Sequence, residues 1–443
     1  MPRTSKRVHR SVLTTLSAAA IATASLATLA ACGGGGSSSP VSEPEPAPEP
    51  SYRVTQEGPT VARVVEYLSV HATGGPWESG PDYTWSDDPG LARYASPPTV
   101  HLARGTSDRY RAAALYGVAL VNRALPYDQH LEIGTDVAPL SLREDIPNGE
   151  IWVDFGPEPW ADEAGGRPGS EAYAAPHPRK EWDPSQQRWE HNEMLSGRVW
   201  LDTDTFDGRP DHEAVSVFVH ELIHALGFHG HPDAAFSESN MYDAWLRLDG
   251  SLPAIDAAAL QALYTRLPVE TEPEDLSAAS LGDWNRTVVN LGMDLGDVAF
   301  GVRHTNGVSM PWTTGPEPRS ALADNRRLTG TATWNGTLLG FEPSLRVVDG
   351  DARIRVDVGT LDGRADFTDL RSWPAGAAPG APDDGETWNT GSLGYTIAVG
   401  GNYLRSTGGD DGTVNGQFYG SGHEGVAGSV ERPDLTAAGG GTR

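Results

Sequence analysis

Cysteine is almost absent: the one thiol in 443 residues is Cys32. Past that position no internal disulfide can form, so stability has to come from core burial or a bound metal. Basic residues are scarce too. There are 33 Lys and Arg against 60 Asp and Glu, for a net charge of −27. This excludes a broad phosphate-binding face and argues against nucleic acid as a partner. Long apolar runs are missing after the first 31 residues, so no later segment reads as a membrane-spanning helix.

The apolar run that does exist lies at the N-terminus. Arg3, Lys6, Arg7 and Arg10 precede an Ala-rich stretch over 12–31, the layout of a secretory signal. It ends Leu29-Ala30-Ala31-Cys32, which resembles a bacterial lipobox and implies lipidation of Cys32. Residues 32–51 are rich in Gly and Ser and then in Pro and Glu, a tether with little to bury. The expected organisation is a signal peptide (1–31), the tether (32–51), an α+β domain (52–270), a linker (271–320) and an all-β antiparallel barrel (321–443).

Within the first domain, 106–125 has an amphipathic pattern, with Thr106 or Ser107 as cap and Pro126 after its end. Segments 130–134, 149–155 and 197–202 read as strands. A second helix is expected over 212–226, where Val215, Phe218, Val219, Leu222 and Ile223 form an apolar stripe behind Asp211 as cap. A third is expected over 256–267. Asp202, Asp204, Asp207 and Gly208 miss the spacing of a calcium loop and read as a turn of solvated acids. From 352 onward apolar and polar residues alternate between Asp-Gly turns, as in short antiparallel strands.

The chemistry is concentrated in His220-Glu221-Leu222-Ile223-His224. Two His four apart leave one helix face a turn apart and can share one Zn²⁺. Glu221, one residue off that face, is placed to take a proton from water and pass it to a leaving amine. Gly227 suits a sharp exit through positive φ. His220, Glu221, His224 and Gly227, followed by Ser239-Asn240-Met241-Tyr242, resemble the metzincin metallopeptidases. In that family a third His follows the glycine by three residues and a methionine turn comes later. Here the third place is Gly230, flanked by His229 and His231. An added loop residue is easier to absorb than lost reach, so His231 is favoured over His229. The resemblance implies Zn²⁺ as cofactor, Met241 in the methionine turn, and a polypeptide substrate laid along strand 197–202 as cleft edge. Tyr242 is a minor candidate for aiding the oxyanion. His71, His101, His130, His177, His191, His304 and His423 lack ligand spacing and read as structural or surface residues.

Near the C-terminus, Gly416-Gln417-Phe418-Tyr419-Gly420 leads into His423-Glu424-Gly425-Val426-Ala427-Gly428 and an Ala/Gly-rich end. This resembles the C-terminal barrel of transferrin-binding-protein-B-like surface lipoproteins. The likeness implies display on the outer membrane with help from export machinery. The leading expectation is thus a surface-anchored zinc endopeptidase acting on a polypeptide, host proteins included. The alternative is a non-catalytic surface lipoprotein that binds a host protein or haem through the barrel.

Overall fold

The computed structural model describes residues 51–55, 58–72, 90–140, 145–156, 172–183, 188–248, 250–282, 288–322, 329–374 and 385–443. The signal peptide, Cys32 and most of the tether lie outside them. In chain order come β1 (Ser51–Thr55), α1 (Val61–Ala72), β2 (Leu91–Ala92), β3 (Thr99–Leu102), α2 (Asp108–Arg123), β4 (Glu132–Ile133) and β5 (Glu150–Gly156). Then follow β6 (Ala172–Asp183), β7 (Arg188–Asp202), α3 (Thr203–Phe206), α4 (Asp211–Ala225), α5 (Ala254–Thr265) and β8 (Glu270–Thr271). The rest is β: β9 (Val288–Asp294), β10 (Ala299–Thr305), β11 (Val308–Thr314), β12 (Thr331–Phe341), β13 (Val347–Asp357), β14 (Asp362–Trp373) and β15 (Glu386–Thr387). It ends with β16 (Leu393–Gly400), β17 (Tyr403–Gly409), β18 (Thr413–Tyr419), β19 (Gly425–Arg432) and β20 (Leu435–Thr442).

The helices start where side chains can satisfy free N–H groups. The Ser107 hydroxyl accepts from the Tyr110 N–H and caps α2. Asp211 was expected to cap α4, but Pro210 holds that place and no side chain caps it. Asp211 lies in the first turn, where its charge suits the helix dipole, and accepts from Arg109 at 2.7 Å. Helices α2 and α4 pack closely because Gly117 leaves room: a Cβ there would lie 2.5 Å from the Phe218 ring. Five strands form a sheet beside them in the order β4-β3-β5-β7-β6. All pairings are parallel except β6–β7.

Two expectations are corrected here. Strand 197–202 is not an edge, because β6 pairs along β7 from Ala172–Leu201 to Asp183–Arg188. The stretch 271–320 is not a plain linker either. Strands β9, β10 and β11 form an antiparallel sheet whose other edge is β1, with Ser51 opposite Gly292. Leu291, Phe300 and Val302 are fully buried in it. Their burial makes a core with barrel residues such as Leu339, Phe341 and Tyr419, which compensates for ordering a polar-looking segment.

Strands β12–β14 and β16–β20 close into an eight-stranded antiparallel barrel through the pairing of β12 with β20, and β15 adds to β14. Closure leaves no open edge in the ring. Trp334, Leu338, Ile354, Phe367, Tyr395 and Phe418 form a buried core. Along β13, Ala352, Ile354 and Val356 are buried while Asp351, Arg353 and Asp357 are exposed. The apolar face thus points inward, the reverse of a bilayer-spanning barrel. No helix among the described residues is long and apolar enough to cross a membrane.

Helix α2 also meets the barrel. Tyr116 stacks on Tyr403 with ring centroids 4.4 Å apart. At its last turn the buried Arg123 donates to Ser429 Oγ and the Asn415 carbonyl and faces Glu431 at 3.9 Å. One helix therefore carries contacts to both the barrel wall and α4.

Candidate metal centre

Helix α4 is buried from Ala214 to Ala225, which fixes the rotation of its two His. Its chain leaves through Gly227 at φ +111°, where any Cβ would meet the Ala92 carbonyl oxygen at 2.0 Å. Only glycine fits that exit. The turn brings His231 back, and the Nε2 atoms of His220, His224 and His231 form a triangle with sides of 2.9, 3.2 and 3.1 Å.

The tautomers follow from the outer ring nitrogens. His220 Nδ1 lies 2.8 Å from the Asn240 carbonyl and His224 Nδ1 lies 2.5 Å from the Phe228 carbonyl. A carbonyl only accepts, so both Nδ1 atoms carry the proton and both Nε2 lone pairs point inward. Converging lone pairs repel unless a cation lies between them. The centre of the triangle is about 1.8 Å from each nitrogen, just inside a Zn–N length of about 2.0–2.1 Å. An ion slightly off that plane fits this donor set. Burial lowers the pKa of His220 to about 4 and of His231 to about 3, and it lowers His224 as well. The rings are therefore neutral near pH 7, the form that ligates a metal.

Glu221 is buried on the same helix, and desolvation raises its pKa to about 8. Among the described residues, these three His are the only cluster with metal-ligand spacing. His229 is outside it. Tyr242 is 44 % exposed. Asp202 caps α3 by accepting from Asp204 N–H, and Asp207 accepts from Tyr110, so these acids serve local structure. His71 is fully buried, edge-on to Tyr67 and to Phe228 in the exit turn.

The supporting layer was not anticipated from the sequence. Asp256, in α5, is buried and accepts from Ser239 Oγ at 2.6 Å, the Asn240 N–H at 2.7 Å and the Tyr67 hydroxyl. Burial raises its pKa to about 6, against the opposing pull of those donors. Ser239 Oγ also accepts from the Met241 N–H, and the Asn240 side chain donates to Ser216 in α4. Met241 is fully buried. One carboxylate thus fixes the turn whose Asn240 carbonyl orients His220. The available signal was a lone acid between Ile255 and Ala257 in a mostly apolar helix.

Asp256→Ala strands three donors in a dry site. The expected loss is about 3 kcal/mol or more of stability and about 10–100-fold of zinc affinity. Urea unfolding and competition with a chelator measure the two; an unchanged affinity would show that Asn240 holds its place without Asp256.

No family model matches the chain, and no curated protein matches it. Similar solved structures include transferrin binding protein B from Haemophilus parasuis, with 13 % identity and a TM-score of 0.25 over 35 % of either chain. Transferrin binding protein B from serogroup B Neisseria meningitidis shows 17 % identity and a TM-score of 0.24, over 35 % of this chain and 33 % of that one. The N-lobe of lactoferrin binding protein B from Moraxella bovis shows 12 % identity and a TM-score of 0.20, over 35 % and 74 %. The chain spans about a third of the first two. At these TM-scores the likeness carries no argument about activity.

Proposed function

We propose that this chain is a zinc-dependent endopeptidase held at the bacterial surface by a lipid on Cys32. The observation that carries the reading is the convergence of three Nε2 atoms beside a buried Glu221. His220, His224 and His231 would hold the ion. When bound, zinc supplies Lewis acidity that polarises the scissile carbonyl and acidifies water. Glu221 takes the proton of the attacking water and returns it to the departing amine. Without metal, burial keeps Glu221 protonated near pH 7; a bound dication would favour the carboxylate that can accept the water's proton. The Asn240 and Phe228 carbonyls keep two rings in the ligating tautomer. An extended substrate would add to the outer edge of β6, the end strand of the sheet, since backbone pairing there needs no particular side chain.

The second reading is a surface lipoprotein that binds a host protein through its barrel; the similar solved structures are transferrin and lactoferrin binding proteins. Haem inside the barrel would have to displace Trp334, Phe367, Tyr395 and Phe418 from the core they fill. The test is metal content and casein cleavage by the soluble chain. About one zinc per chain is expected, with cleavage lost to a chelator and restored by zinc. A chain without divalent metal that cuts nothing, yet captures a host iron-binding protein, would favour the second reading.

A further inference from the structure

On the side of α2 away from α4, a cleft of about 930 Å³ separates that helix and β4 from the barrel wall. Leu115 and Val118 form part of its floor, while Gly117 faces the metal helix instead. The cleft is therefore distinct from the imidazole cluster. Three large hydrophobic side chains are exposed among the described residues, and two of them, Tyr127 and Ile133, line this cleft at 43 % and 42 % exposure. Ile133 belongs to β4, the other end strand of the five-stranded sheet, whose outer edge has no strand beside it among the described residues.

The barrel wall adds Arg405 and Glu431, of which Glu431 already faces Arg123 and His130. Arg405 in β17 lines the cleft and is half-buried, and its guanidinium makes no hydrogen bond or ion pair among the described residues. Its neighbour Arg111 is already engaged by Asp136 at 3.0 and 2.5 Å. Burial and the nearby Arg111 both disfavour its charge and lower its pKa. In a chain of net charge −27, a cation left without an acid has a specific gap to fill. An incoming carboxylate would supply it with charge-assisted hydrogen bonds.

We propose that this cleft docks an extended polypeptide segment, with an acidic side chain on Arg405 and apolar side chains against Tyr127 and Ile133. Apolar residues alternate along such a segment, because successive side chains point to opposite faces. The exposed Asp128 and Glu132 on the opposite wall favour a basic residue on the other side of the segment, which sets its orientation. Docking here does not depend on the peptidase reading; in a peptidase it serves as an exosite for long substrates.

The experiment uses the soluble full chain carrying Glu221→Ala, treated with chelator. The probe is a positional-scanning library of fluorescent decapeptides with blocked ends, read by polarisation. Selection of Asp or Glu at one position, with apolar residues two apart, is the expected result. Arg405→Gln should erase the acid preference and weaken the selected peptide at least about tenfold, and Ile133→Asp should weaken it too. Both positions are partly exposed, and thermal melts check that each variant stays folded. Added zinc should leave binding unchanged. The proposal is overturned if no position shows selection, if the acid preference survives Arg405→Gln, or if zinc displaces the peptide.

Discussion

Glu221→Gln is expected to slow peptide cleavage by about 10²–10⁴-fold while stabilising the metal-free protein at pH 8. The two effects share one cause. Glutamine keeps the shape but cannot carry a proton between water and the leaving amine. The carboxyl it replaces is buried, with its pKa raised from 4.5 to about 8. A carboxyl raised in the folded state keeps its proton there while the unfolded chain has already released it. The wild-type chain therefore loses stability as pH rises from about 4.5 to about 8, by a few kcal/mol at about 1.4 kcal/mol per pKa unit. Glutamine has no such cost. In chelator, the melting-temperature gap between variant and wild type should widen from pH 5 to pH 8. With zinc it should shrink, because a nearby dication favours the carboxylate. Cleavage within tenfold of wild type would remove Glu221 from the mechanism, and a pH-independent gap would mean that it does not titrate as its burial requires.

The parts legible in the sequence are those where local periodicity reports directly on geometry. The stripe from Val215 to Ile223 sets the face of α4, and a four-residue interval then places His220 and His224 together. Gly227 signals the sharp exit because few other backbone demands call for glycine just after an apolar helix. Alternation at Ala352, Ile354 and Val356 gives strand and inward face. What escaped depends on partners distant in sequence. Strand β6 contains Pro176 and Pro178 and is rich in charge, so it shows no strand pattern; its assignment rests on pairing with β7. β1 is a strand by virtue of β9, more than 230 residues later. The pairing that shuts the ring, β12 with β20, joins the first barrel strand to the last. Asp256 looks like a helical acid until Tyr67, Ser239 and Asn240 are brought onto it.

His231→Ala and His229→Ala should separate by orders of magnitude in zinc affinity, although the two residues are two apart in one loop. His231 Nε2 completes the triangle at 2.9 and 3.1 Å from its neighbours, and His229 contributes nothing to it. Three protein ligands share a binding free energy of about 10 kcal/mol or more. Removing one is expected to weaken zinc by several hundred to about a thousandfold, at 1.4 kcal/mol per factor of ten. His229→Ala should stay within about tenfold. Chelator competition followed by peptide cleavage reads both. A metal-free comparison separates ligation from packing. The His231 pKa is lowered from 6.5 to about 3, so the unfolded chain binds a proton that the folded chain refuses. The stability tied to that difference is present above pH 6.5 and is lost as pH falls toward 3. His231→Ala should thus lose zinc at pH 7 yet resist acid unfolding better than wild type in chelator. If instead His229→Ala loses the metal and His231→Ala keeps it, the loop folds differently on the ion, and the convergence of these three rings is not the ligand set.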